Sequence, residues 1–91
     1  MIRINVFLTT NDRHCAEVKM IADQLIEASL KDKGCMGYDF FQSITRPNVM
    51  MICETWEDQE SLNAHQQTAH FTRLVPLLHT LCEMKTEILQ K

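Results

Sequence analysis

"CMGYDFFQSITRPNVMMICETW" (Cys35–Trp56) decides the fold. Its first ten residues, Cys35–Ile44, carry the aromatic and alternating side chains of a strand. "TRPN" (Thr45–Asn48) is a turn, because Pro47 has no N–H to give a central ladder position. "VMMICETW" (Val49–Trp56) is a second strand with apolar side chains on both faces, the pattern of a central strand covered on two sides. The link between them is short, so the two runs are expected to pair as an antiparallel hairpin.

Elements are readable on both sides of this hairpin. Upstream, "IRINVFLT" (Ile2–Thr9) alternates, with Ile4, Val6 and Leu8 on one face and Arg3, Asn5 and Phe7 on the other. From about Asp12 to Lys33 the period is helical, with Val18, Ile21, Ala22, Leu25, Ala28 and Ser29 as the buried stripe and Gly34 as the stop. Downstream, Asp58 can cap a second helix and Thr68 a further one, with Pro76 expected to bend or interrupt the latter. "LCEMKTEIL" (Leu81–Leu89) closes the chain as a strand with one packed and one wet face. The order β-α-β-β-α-β with right-handed crossovers predicts an α+β, ferredoxin-like fold: a four-stranded antiparallel sheet with the helices on one face.

A length of 91 residues fits one domain, residues 1–91. Such a domain buries only about 60–65% of its unfolded surface. Apolar residues on both faces of the first and third strands need a second cover, which a homodimer would supply. The net charge of −3 and the absence of a basic run argue against nucleic acid. No run approaches the ~18 apolar residues of a membrane span, and "MIRINVFLTTNDRH" lacks the pattern of an export signal, so a cytoplasmic location is expected. The four cysteines form no C-x-x-C pair and suit reduced, mostly core thiols.

Chemistry concentrates in "ETWEDQESLNAHQQTAH" (Glu54–His70). Glu54 and Trp56 are two apart on a strand and share a face. A buried Glu54 would have a raised pKa and could act as a base near neutral pH; otherwise it bonds a helix N-terminus or an arginine. Trp56 is a core or interface anchor, or a pocket wall. His65 packs over the end of the third strand or serves as a pocket acid–base. His70 is a polar residue at a helix start, or a pocket residue. The two histidines are five apart, ~140° around a helix at 100° per residue, whereas a helical zinc pair needs four. With no third ligand nearby in sequence, no metal is expected.

"KGCMGYDFF" and "VMMICETWEDQESLNAHQQTAHF" resemble the antibiotic biosynthesis monooxygenase domain, and most resemble its small bacterial quinol monooxygenases. The shared pattern is a Gly-Cys-x-x-Tyr after the first long helix, a strand ending Glu-x-Trp, an acidic helix start and His-x-x-x-x-His-Phe. The resemblance implies a dimeric α+β barrel and oxidation of an electron-rich quinol or phenol by dioxygen without metal or flavin. It also implies that Asn5, Trp56 and Tyr38 could form a pocket trio. Leu74 and Val75 stand where haem-degrading relatives would carry an axial histidine, which argues against haem. The expected site is then His65 as base and Glu54 as its orienting or relaying partner. Asn5, Tyr38 and His70 would contact substrate and Trp56 would stack on its ring. An isomerase-type proton-transfer enzyme and a non-catalytic small-molecule binder use the same residues and stay open.

Overall fold

The computed structural model describes residues 1–90. Its elements are β1 (Ile2–Thr9), α1 (Cys15–Ser29), β2 (Cys35–Gln42), β3 (Val49–Trp56), α2 (Gln59–Gln66), α3 (Ala69–Leu81) and β4 (Glu83–Gln90). The sheet order is β2-β3-β1-β4, and every neighbouring pair is antiparallel. This is the expected ferredoxin-like arrangement, with the second helical layer split in two. Asp58 Oδ1 accepts from the Ser61 N–H at 2.8 Å and starts α2, while Thr68 Oγ1 accepts from the Phe71 N–H at 3.3 Å and starts α3. Both side-chain caps replace partners that the first turn of a helix lacks.

Register follows the pleat. Ile4 faces Glu54 across β1–β3, Tyr38 faces Glu54 across β2–β3, and Ile2 faces Trp56. These residues share the inner face with Val6, Leu8, Met50 and Ile52, which meet Val18 and Leu25 of α1 and Leu74 and Leu78 of α3 in one core. The opposite face carries Phe7 and Phe41, 38% and 52% exposed, beside half-buried Val49 and Met51.

Three expectations need correction. Pro76 does not interrupt α3, which runs through it from Ala69 to Leu81. The carbonyl left without a donor is that of Thr72, and both residues lie on the exposed side, where water can serve it. The expected packed face of β4 is packed only at its start: Met84 is half-buried against the core, but Thr86 is exposed and Ile88 is 56% exposed. The four thiols are all half-buried rather than core, and none is in a disulfide.

α1 also ends at Ser29, where its apolar stripe ends, and short of the Lys33 that the helical period predicts as its end. Residues 30–34 form a turn in which the Asp32 N–H bonds the Ser29 carbonyl and the Cys35 N–H bonds the Asp32 carbonyl. Gly34 closes the turn with φ +81°, and a Cβ there would lie 2.0 Å from Ser61 Oγ. The turn is therefore pressed against the start of α2, and the Glu57 N–H bonds the Gly34 carbonyl at 2.8 Å. Gly34→Ala should cost more than ~1 kcal/mol, since both its backbone angle and its Cβ are refused. Chemical denaturation measures this, and an unchanged midpoint would contradict the close approach.

Candidate active site

The Gly34 apposition has a consequence for chemistry, because it delivers Asp32 to the histidines. Asp32 Oδ2 accepts from His65 Nδ1–H at 2.7 Å and from His70 Nε2–H at 2.8 Å. The break at Thr68 turns α3 relative to α2, so the even 100° step no longer holds between the two rings. His65 is 1% exposed; Asp32 and His70 are 15% and 19% exposed.

The His65 ring lies against Trp56 with centroids 4.4 Å apart and planes 33° from parallel. Phe71 and Tyr38 meet it edge-on at 5.2 and 5.7 Å. With Nδ1 tied to Asp32, the remaining nitrogen, Nε2, is buried and has no hydrogen-bond partner among the described residues. Burial drives the His65 pKa down; Asp32 pulls it up, and His70 adds to the lowering. The neutral ring keeps its proton on Nδ1, facing the carboxylate, so Nε2 carries an unused lone pair.

His65 borders an apolar cavity of about 180 Å³ between the helices and the inner face of the sheet. Tyr38 and Glu54 are among its polar lining residues, and Ile4, Phe71 and Val75 among its apolar ones. Thr86 and Ile88 also line it, which places its rim along the exposed edge strand β4. Glu54 is 7% exposed and accepts from Trp56 Nε1–H at 2.8 Å. Burial raises its pKa, and the bonds from Trp56 and Tyr38 partly oppose the rise. The Tyr38 hydroxyl is pushed up as well, by burial first and by the neighbouring Glu54 charge second. The site thus offers an unpaired acceptor and two polar groups that resist ionisation, in a largely apolar chamber.

A family model described as antibiotic biosynthesis monooxygenase matches residues 1–77. The chain belongs to that family. Among curated relatives of this monooxygenase family, the protein named "Putative monooxygenase YcnE" of Bacillus subtilis (strain 168) is 27% identical over 75 residues, which are 82% of this chain and 79% of that one. A crystal structure from Bacteroides thetaiotaomicron, described as a conserved protein of unknown function and a possible oxidoreductase, is 44% identical with a TM-score of 0.96, covering 99% of this chain and 96% of the other. A structure described as an antibiotic biosynthesis monooxygenase is 25% identical with a TM-score of 0.92, covering 100% and 98%.

Within this family member, the residues singled out from sequence divide three ways. Tyr38, Glu54 and His65 line one cavity. Trp56 is beside them but fully buried and does not line the cavity, so it holds Glu54 and His65 in place and cannot stack on a ligand there. His70 likewise does not line the cavity; it meets His65 through the shared Asp32 carboxylate and ring to ring at 5.9 Å. Asn5 does not join the trio with Tyr38 and Trp56. It sits on the other face of the sheet, donates to Glu87 Oε1 at 3.0 Å and accepts from Cys53 Sγ at 3.2 Å. Glu54 makes no bond to His65; the group that orients the imidazole is Asp32, which sequence reasoning passed over. Nor does helical spacing keep the two histidines apart: the donor atoms of Asp32, His65 and His70 lie within 4.8 Å of one another.

Proposed function

We propose that this protein is a cofactor-independent monooxygenase for a single-ring quinol or phenol. The observation that carries the reading is the His65 ring: one nitrogen is anchored on a carboxylate, the other is buried and unpaired, and the residue lines an apolar cavity. That is the geometry of a general base with its orienting group. An engineered cavity of about 150 Å³ accepts benzene, so a chamber of about 180 Å³ has room for one substituted ring.

Triplet dioxygen reacts slowly with a neutral phenol and faster with its anion. His65 Nε2 takes the hydroxyl proton and becomes imidazolium, steadied by Asp32. The phenolate gives one electron to dioxygen, and the radical pair joins at a ring carbon. The resulting peroxide takes the proton back from His65, and loss of water leaves a quinone. One oxygen atom enters the ring, the other leaves as water, and the ring supplies all the electrons. In this reading the Tyr38 hydroxyl turns from Glu54 to a substrate oxygen as charge develops, and the apolar walls exclude water from the anion.

The test is turnover of a panel of quinols and phenols with and without dioxygen, with products identified by mass. An oxygen-dependent gain of one oxygen atom supports the reading. Turnover that ignores oxygen points to proton-transfer chemistry, and ligand binding with no product points to a binding domain. We further propose a homodimer formed through the Phe7–Phe41–Met51 face of the sheet, burying over ~1,200 Å² in total. Sedimentation should give twice the chain mass at micromolar concentration, and Phe41→Asp should shift it toward the monomer.

A further inference from the structure

We propose that Asp32, His65 and His70 form a binding site for a borderline divalent transition cation such as Zn²⁺, and that its binding reverses the tautomer of His65. The three side chains come from the α1–β2 turn, α2 and α3, yet their donor atoms lie within 4.8 Å of one another. Two N–H groups converge on a single carboxylate oxygen, at 2.7 and 2.8 Å. A cation with bonds of ~2.0–2.2 Å to imidazole nitrogen and carboxylate oxygen could replace both hydrogen bonds with little movement. Two imidazoles and one carboxylate are the donor set that borderline cations prefer over Ca²⁺ or Mg²⁺.

The ligands are held before any cation arrives. Asp32 is fixed by the turn bonds to Ser29 and Cys35, the His65 ring by Trp56, Phe71 and Tyr38, and His70 by the Thr68 cap at the start of α3. The partial exposure of Asp32 and His70 gives an entry path and room for water in the open coordination position. Neither residue lines the aromatic-sized cavity, so the cation would sit behind the His65 ring, away from the substrate.

Coordination through Nδ1 of His65 moves the ring proton from Nδ1 to Nε2, and coordination through Nε2 of His70 moves its proton to Nδ1. Each ring stays neutral and no proton is released. Nε2 of His65 then carries an N–H in place of its unused lone pair. If His65 is the base proposed above, on which this last step rests, the cation is an inhibitor acting from outside the substrate chamber.

Metal-free protein should be titrated with Zn²⁺ by calorimetry, while long-range ¹H–¹⁵N spectra follow the imidazole protons. One Zn²⁺ per chain is expected, with the His65 proton moving from Nδ1 to Nε2. Loss of an outer-sphere partner alone costs ~10–100-fold in metal affinity, so His70→Gln and Asp32→Asn should each cost ~100-fold or more. A Kd weaker than about 1 mM would overturn the site. So would uptake that leaves the His65 proton on Nδ1, or that is unchanged in both variants, since the ion would then sit elsewhere, on thiols for example. The wild-type spectra decide the point even if a variant fails to fold. A proton that moves as expected while oxygen-dependent turnover is unaffected would keep the cation site and remove His65 as the base.

Discussion

Replacing His65 with alanine should lower kcat by ~10²–10⁴-fold in any oxygen-dependent turnover of the wild-type protein, the usual loss for a general base. The ring is fully buried among Trp56, Tyr38 and Phe71, so alanine also opens a hole and strips Asp32 of one donor. A fall in stability will therefore accompany the fall in rate, and the two must be separated. His65→Asn does this, because its amide can keep a bond to Asp32 in a smaller void yet cannot take a proton. Both variants should lose rate to a similar degree, with asparagine the more stable, measured by denaturant unfolding alongside kcat. An asparagine variant with wild-type kcat would remove His65 as the base and leave Glu54, on the same cavity wall, as the next candidate. A rate loss seen in alanine but absent in asparagine would mean that His65 matters only for packing.

Much of this arrangement was legible in the chain. The hairpin at Cys35–Trp56, the caps at Asp58 and Thr68 and the β1 alternation each rest on local chemistry, and each reappears in the fold. The shared face of Glu54 and Trp56 follows from a period of two and needs no tertiary information. Asn5 shows a signal that was present and overridden. The same period puts it opposite Ile4, Val6 and Leu8, and its cross-strand neighbour is Cys53, not Glu54. Strand parity alone separates Asn5 from the face that carries Glu54 and Trp56.

Asp32 is different, because no period reaches it. It lies in a turn whose position depends on a left-handed Gly34 pressed against Ser61, a contact between segments 27 residues apart. Only a rule that paired the glycine's conformation with the small serine could have foreseen that approach. The histidine spacing misled for a related reason: 100° per residue describes one helix, and Thr68 makes two. β4 carries the alternation of a half-buried strand, but it is an edge over the cavity mouth, so beyond Met84 a single chain leaves Ile88 and Leu89 half uncovered.

Trp56→Phe should lower stability by ~2–4 kcal/mol, and by more at neutral pH than in mild acid. The substitution shrinks a fully buried ring and removes the indole N–H that Glu54 accepts at 2.8 Å. Lost packing and an unmet buried acceptor each contribute ~1–3 kcal/mol, more when the acceptor is charged. The pH dependence follows from Glu54, whose pKa burial raises in the folded protein. An acid with a raised folded pKa favours folding in its protonated form. That contribution is fully present below the unfolded value, ~4.3, and is lost as pH climbs through the raised folded one. The Trp56 bond stabilises the charged form, so removing it lifts the folded pKa further and deepens the loss on the alkaline side. Unfolding free energies of wild type, Trp56→Phe, Glu54→Gln and the double variant at about pH 4, below the unfolded value, and at about pH 8 test this. In the Glu54→Gln background, the tryptophan penalty should shrink to its packing part and lose its pH dependence. Equal penalties at both pH values and in both backgrounds would mean that the indole N–H does nothing for the carboxylate, and that Trp56 holds this wall of the cavity by shape alone.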